Sequence, residues 1–238
     1  MTQHYEPWAR ARIRYFYSRF GSQIRERFEQ TPFPVSMIVG VAIEETGYIW
    51  NAFEKRNLSD EQFLGLIVGD SYGFGVRTRW PTSKAQLLSE TGGKDVFDAM
   101  RQALEERAAL VGGHAAQYVR NPNNIMMACG PWQYDLGFVR WAGPEFFAER
   151  KWRSLEQCMA VFHKEIENRR NALRMPVRNL SRYQMALIAT AYNTGATGFK
   201  PARGLNQGNR TQGRWYGQRV HDFIGYARNI IGDSYPDR

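Results

Sequence analysis

The sequence predicts a mainly helical fold with at most one small β-hairpin. Three observations carry that reading. Apolar residues recur at threes and fours along most of the chain. Ser-x-x-Gln capping boxes stand before apolar runs at Ser59–Gln62, Ser154–Gln157 and Ser181–Gln184. No stretch alternates apolar and polar residues well enough to read as a strand. Counting capped periodic segments gives about eight helices.

In chain order, Trp8, Arg12, Phe16, Phe20, Ile24 and Phe28 recur at fours among many arginines, with Ile13 and Tyr17 beside them. This is a basic amphipathic helix with a bend expected at Gly21. It could lie on a membrane surface, but packing on the body is the preferred reading. Thr31–Pro34 breaks the chain before Val35–Trp50, an apolar run for which Ser36 is the expected N-cap. Ser59–Gln62 opens a short helix through Phe63, Leu64, Ile67 and Val68 that stops at Gly69. Asp70-Ser-Tyr-Gly-Phe-Gly75 reads as a tight turn, and any hairpin is expected near residues 70–80. Further helices run from Thr82 through Leu88 and from Asp95 to Val111.

After Asn121-Pro-Asn-Asn124, the apolar segment Ile125–Trp141 must kink or divide at Pro131, with Trp132 and Trp141 expected in the core. The last two capping boxes open helices through Val161 and Ile166 and through Leu187 and Ile188. The second of these ends at Ala191-Tyr-Asn-Thr-Gly195. Residues 197–213, rich in Gly, Asn, Gln, Lys and Arg, form a loop. A closing helix, Trp215–Ile231, turns Val220, Phe223, Ile224, Ala227 and Ile230 inward. No internal repeat or long linker appears. Residues 1–32 are therefore assigned to an N-terminal helix packed on the body, and residues 33–238 to one domain.

With 238 residues, 43% of them apolar, the chain can bury a sizeable core. A net charge of +9 draws it to polyanions, a class that includes nucleic acid, anionic lipid and the bacterial cell wall. No run is apolar enough for a stable membrane insertion, and Met1–Phe20 lacks the apolar core of a signal peptide. Either a leader has been removed, or export follows lysis, a dedicated machine or a particle. The two cysteines, Cys129 and Cys158, allow at most one bridge. His4, His114, His163 and His221 never pair at metal-ligand spacing, and Gly73-Phe-Gly75 lacks a third glycine. No metal, nucleotide or other cofactor is expected.

One stretch carries chemistry. At 100° per residue Met37, Val41 and Glu45 share a face, so a stripe that should be buried runs into an acid. A carboxyl there is partly desolvated and meets the negative end of the helix dipole, and both effects favour its neutral form. Such a group can serve as a general acid. The alternative is that Glu44 and Glu45 are ordinary solvated residues at a helix end. Glu44 is assigned that role.

Four stretches, in order, resemble motifs of the lytic transglycosylase branch of the lysozyme-like superfamily. Glu45-Thr-Gly-Tyr48 is similar to its Glu-Ser motif, and Asp70–Val76 to its Gly-Leu-Met-Gln motif with the preceding serine. Asn121–Ile125 is similar to its Asn-Ile segment, and Ala191–Gly195 to its Tyr-Asn-x-Gly motif. Val76 stands where glutamine is usual, and Ser71 is offset by one because Tyr72 precedes Gly73.

The resemblance implies an α+β lysozyme-like fold that cleaves the glycan strands of peptidoglycan outside the cytoplasm, in the periplasm or wall, and that could serve an envelope machine or phage particle. It implies Glu45 as general acid and base and Tyr192 beside it, with Ser71, Tyr72, Gly73 and Asn193 contacting sugar. The product would be a 1,6-anhydro sugar, formed without water. Two alternatives share the fold. One is a hydrolytic muramidase of the goose type, in which Asp70 holds a water. The other, motivated by Val76, is a glycan-binding domain without catalysis. A nucleic-acid binder ranks last, because the basic residues of 197–213 lie among glycines without interleaved aromatics.

Overall fold

The structure, a computed structural model, describes residues 5–54, 56–69, 72–74, 79–195 and 197–237. Helix makes up 63% of it and strand 4%, so the fold is mainly helical with two small antiparallel hairpins. In order the elements are α1 (Tyr5–Phe28), α2 (Val35–Thr46), α3 (Asp60–Leu66), α4 (Lys84–Leu88), α5 (Gly93–Val111), α6 (Gly113–Tyr118), β1 (Ala128–Cys129), β2 (Tyr134–Asp135), α7 (Val139–Ala142), α8 (Glu145–Ala148), α9 (Leu155–Ala172), α10 (Arg182–Thr194), β3 (Arg210–Thr211), β4 (Arg214–Trp215) and α11 (Tyr216–Ile231). Several of these are single turns, which periodicity does not resolve, and they carry the number past eight. The chain divides into two compact units, residues 1–48 with 159–238, and residues 49–158.

In the first unit α2 is the centre. Every residue from Val35 to Ile43 is buried, so this helix is covered on all sides rather than along one stripe. α1, α11 and α10 pack against it. α1 supplies Ile13, Phe16, Phe20 and Ile24, each 0% exposed. Burying a side chain of that size stabilises by roughly 1.5–3 kcal/mol. α11 contributes Val220, Phe223, Ile224 and Ala227.

Ser36 is not the cap of α2. The helix starts at Val35 after Pro34, and the Ser36 N–H donates to the Asp233 carboxylate at 2.6 Å. A distant acid thus satisfies the first turn and complements the helix dipole. The capping boxes at Ser59 and Ser181 both form.

In the second unit α5 packs against α8, α6, α4 and α3. Arg107, 6% exposed, donates to the carbonyls of Val68 and Gly69 at 2.7 Å each and ties the chain beyond α3 to α5. Pro131 does divide its segment, within the turn between β1 and β2, which pair Ala128 with Asp135 and Cys129 with Tyr134. Trp132 is buried at 3%, but Trp141 is 87% exposed and is not a core residue. After the hairpin and a 3-10 turn, Leu136–Phe138, the one-turn helix α7 turns Val139 inward and, two residues on, Trp141 outward.

The second hairpin, β3–β4, pairs Arg210 with Trp215 and lies at the end of the basic loop. Much of the region expected near 70–80 lies outside the described residues. Within it Tyr72 makes a single antiparallel bridge to Met126. Among the described residues no helix is long and apolar enough to cross a membrane.

Candidate active site

The first unit gathers an acid cluster where α2 ends. Glu45, in the last turn of α2, meets Tyr216, the first residue of α11. The Tyr216 hydroxyl donates to Glu45 Oε1 at 2.7 Å. The Asn193 side chain, near the end of α10, hydrogen-bonds the same carboxyl. Gly208 makes this approach feasible. Its φ is +86°, in the left-handed region that glycine favours, and a Cβ there would stand 2.5 Å from Tyr216 Cβ and 3.1 Å from Asn193 Oδ1.

Burial pushes the Glu45 carboxyl up to about 8. The Tyr216 bond pulls it down, the charge of Glu44 raises it, and Asn193 and Arg219 lower it. Taken as a whole residue, Glu45 is of intermediate exposure. Burial also pushes the Tyr216 phenol well above its ordinary range, so it stays a hydrogen-bond donor.

Glu44 is not solvated, contrary to expectation. Its side chain is 4% exposed and forms an ion pair with Arg219, itself 5% exposed. Arg219 Nε donates to both Glu44 oxygens, at 3.0 and 3.2 Å. Burial pushes Glu44 up to about 7 while the Arg219 guanidinium pulls it back. A guanidinium is not deprotonated in proteins, so protonating Glu44 would strand a buried positive charge. Of the two neighbouring acids, Glu44 ionises first and Glu45 keeps its proton. Divergent environments of this kind define an acid and its charged neighbour.

Of the residues singled out in the sequence, Glu45 and Asn193 come together directly. Tyr192 joins through Tyr216, whose ionisation it disfavours, and its ring packs edge-on against Phe162 at 5.2 Å. Tyr72 and Gly73 belong to the second unit. Tyr72 stacks on Tyr118 at 4.7 Å, and the Gly73 N–H donates to the Ile125 carbonyl at 2.9 Å. The turn and the Asn121–Ile125 segment are therefore neighbours. Asp70, Ser71 and Val76 lie outside the described residues.

Sequence reasoning missed Tyr216 and Arg219. The signal was present, because both extend the inward stripe of Val220 and Phe223 toward the start of α11. Among the described residues no group of three or more His, Cys, Asp or Glu gathers to hold a metal ion. Comparison with protein families, curated proteins and solved structures finds no match to this chain. The chemistry open to the site is set by its geometry: a carboxyl whose burial favours the neutral acid, held by the Tyr216 hydroxyl and the Asn193 side chain.

Proposed function

We propose that this chain is a peptidoglycan lytic transglycosylase, with Glu45 as general acid and then general base. The observation that carries the reading is the pairing of a proton-retaining carboxyl at the end of an apolar helix with the orienting hydroxyl of Tyr216. With its carbonyl oxygen accepting from Tyr216, the acid's O–H is left to donate to the bridging oxygen between N-acetylmuramic acid and N-acetylglucosamine as that bond breaks. The resulting Glu45 carboxylate is stabilised by Tyr216 and Asn193 and takes the proton of the muramic 6-hydroxyl as that oxygen closes on C1. A 1,6-anhydro ring forms and Glu45 is again protonated.

Glu44 favours this one-acid route over hydrolysis with a second carboxylate from the same helix. Bound to Arg219, it is neither a free nucleophile nor a free base. The net charge of +9 suits retention on an anionic wall polymer.

Mass spectrometry of muropeptides released from purified peptidoglycan tests the proposal. Anhydro ends support it. Ends heavier by one water would assign a muramidase instead, and binding without release would assign a glycan-binding domain. Tyr216→Phe is expected to lower kcat by about tenfold, the worth of one hydrogen bond to a charged group. Because that bond favours ionised Glu45, the alkaline limb of the pH–rate profile should also move upward in the variant. A limb that stays in place would exclude Tyr216 as a partner of the working acid.

A further inference from the structure

The ion pair beside Glu45 has more contacts than a simple charge balance requires. Besides Glu44, Arg219 donates through Nη2 to Asn209 Oδ1 at 3.0 Å, and through Nη1 to the carbonyls of Arg214 at 2.7 Å and Asn209 at 3.4 Å. The carbonyl of Asn209 also accepts the N–H of Tyr216 at 2.9 Å. One guanidinium thus joins the end of α2, the β3–β4 hairpin and the first turns of α11, and shares Asn209 with the residue that holds Glu45.

A buried ion pair is weak evidence for stability, since apolar residues of the same volume often do as well. We infer that Glu44 and Arg219 are the positioning pair of this site, fixing Tyr216 over Glu45 and assigning the proton to Glu45 rather than to its neighbour. This inference rests on the reading of Glu45 as the working acid.

The charged and titratable groups around Glu45 make the direction of the effect explicit. Its own helix contributes Glu44. α11 contributes Tyr216 and Arg219, and α10 contributes Tyr192 and the neutral Asn193. From β4, Arg214 acts on Glu44. Ionised Glu44 opposes ionisation of Glu45, and Arg219 favours it. Removing the charge of Glu44 while leaving Arg219 therefore makes Glu45 easier to ionise. The proton donor is then lost at lower pH.

Glu44→Gln in the full chain tests this, because it preserves shape and deletes charge. Carbon-13 NMR of the glutamate carboxyls, with Glu45 assigned through Glu45→Gln, should show its titration midpoint falling by about one pH unit. The alkaline limb of muropeptide release should fall with it, and kcat at the optimum should drop about tenfold while KM stays within about twofold. A Glu45 midpoint unchanged from the wild type would overturn the inference. So would a loss of activity that only tracks the loss of folded protein by circular dichroism. If Glu44→Gln does not fold, Glu44→Gln with Arg219→Met removes both charges without stranding either. Its midpoint should move in the same direction by less, and no movement would again overturn the inference. If the wild type releases no muropeptides, the transglycosylase reading fails, while the titration still decides whether the pair controls Glu45.

Discussion

Glu45→Gln should lower turnover of purified peptidoglycan by roughly 10³-fold and at the same time make the protein more stable at alkaline pH. The loss follows from removing the proton donor, since an amide has the carboxyl's shape and polar partners but no acidic proton. The gain follows from linkage. The ordinary value of a glutamate carboxyl, which Glu45 has when unfolded, is 4.5, and burial in the folded state pushes it up to about 8. Between those values the folded state holds the extra proton, so stability falls as pH rises through the window and the full penalty is present above about 8.

Below pH 4.5 both states are protonated and the penalty vanishes. The variant should therefore melt at the wild-type temperature near pH 4.5 and several degrees higher near pH 8, each kcal/mol being worth about 2–4 °C in a chain of this size. Calorimetry at the two pH values, with muropeptide release alongside, checks both halves. Retained turnover would remove Glu45 from the mechanism. Equal melting at both pH values would show that Glu45 does not hold its proton in the folded state.

Gly40→Leu is expected to damage the fold, and to damage the site with it. Gly40 lies in the middle of α2, where glycine is unfavourable by about 1 kcal/mol relative to alanine. The close crossing of α11 explains its presence. A Cβ at Gly40 would stand 2.9 Å from the Ile224 backbone N and 3.0 Å from its Cα. Backbone atoms cannot swing aside as a side-chain tip can, so α11 has to move. Overpacking of this kind costs about 1–3 kcal/mol, and a full leucine belongs at or beyond the upper end.

The displacement would reach the site because Tyr216 is on the same helix, about 12 Å along its axis from Ile224. Two measurements separate the effects: the urea midpoint for stability, and muropeptide release per folded molecule for the site. Both should fall. Wild-type stability in Gly40→Leu would mean that the α2–α11 contact is looser than these distances require.

Much of the fold was readable because its causes are local. The capping boxes at Ser59 and Ser181 need only residues three apart, and both form. The failures also have local origins. Trp141 belongs to an apolar segment, but a one-turn helix offers too little periodicity to say which residue turns inward. Ser36 has the right chemistry for a cap, yet the helix starts before it and Asp233 satisfies its N–H.

The sequence by itself determined the helical class and the anomaly at Glu45, an acid on an apolar stripe, because periodicity and side-chain chemistry are properties of neighbouring residues. Tertiary structure alone decided what that anomaly means. Tyr216 reaches Glu45 across 171 residues, and Arg219 reaches Glu44 across 175. An arginine on the apolar stripe of α11 was the counterpart of the glutamates on α2. Nothing local to either helix specifies that the two meet, because a desolvated charge selects its partner only once packing has brought the helices together.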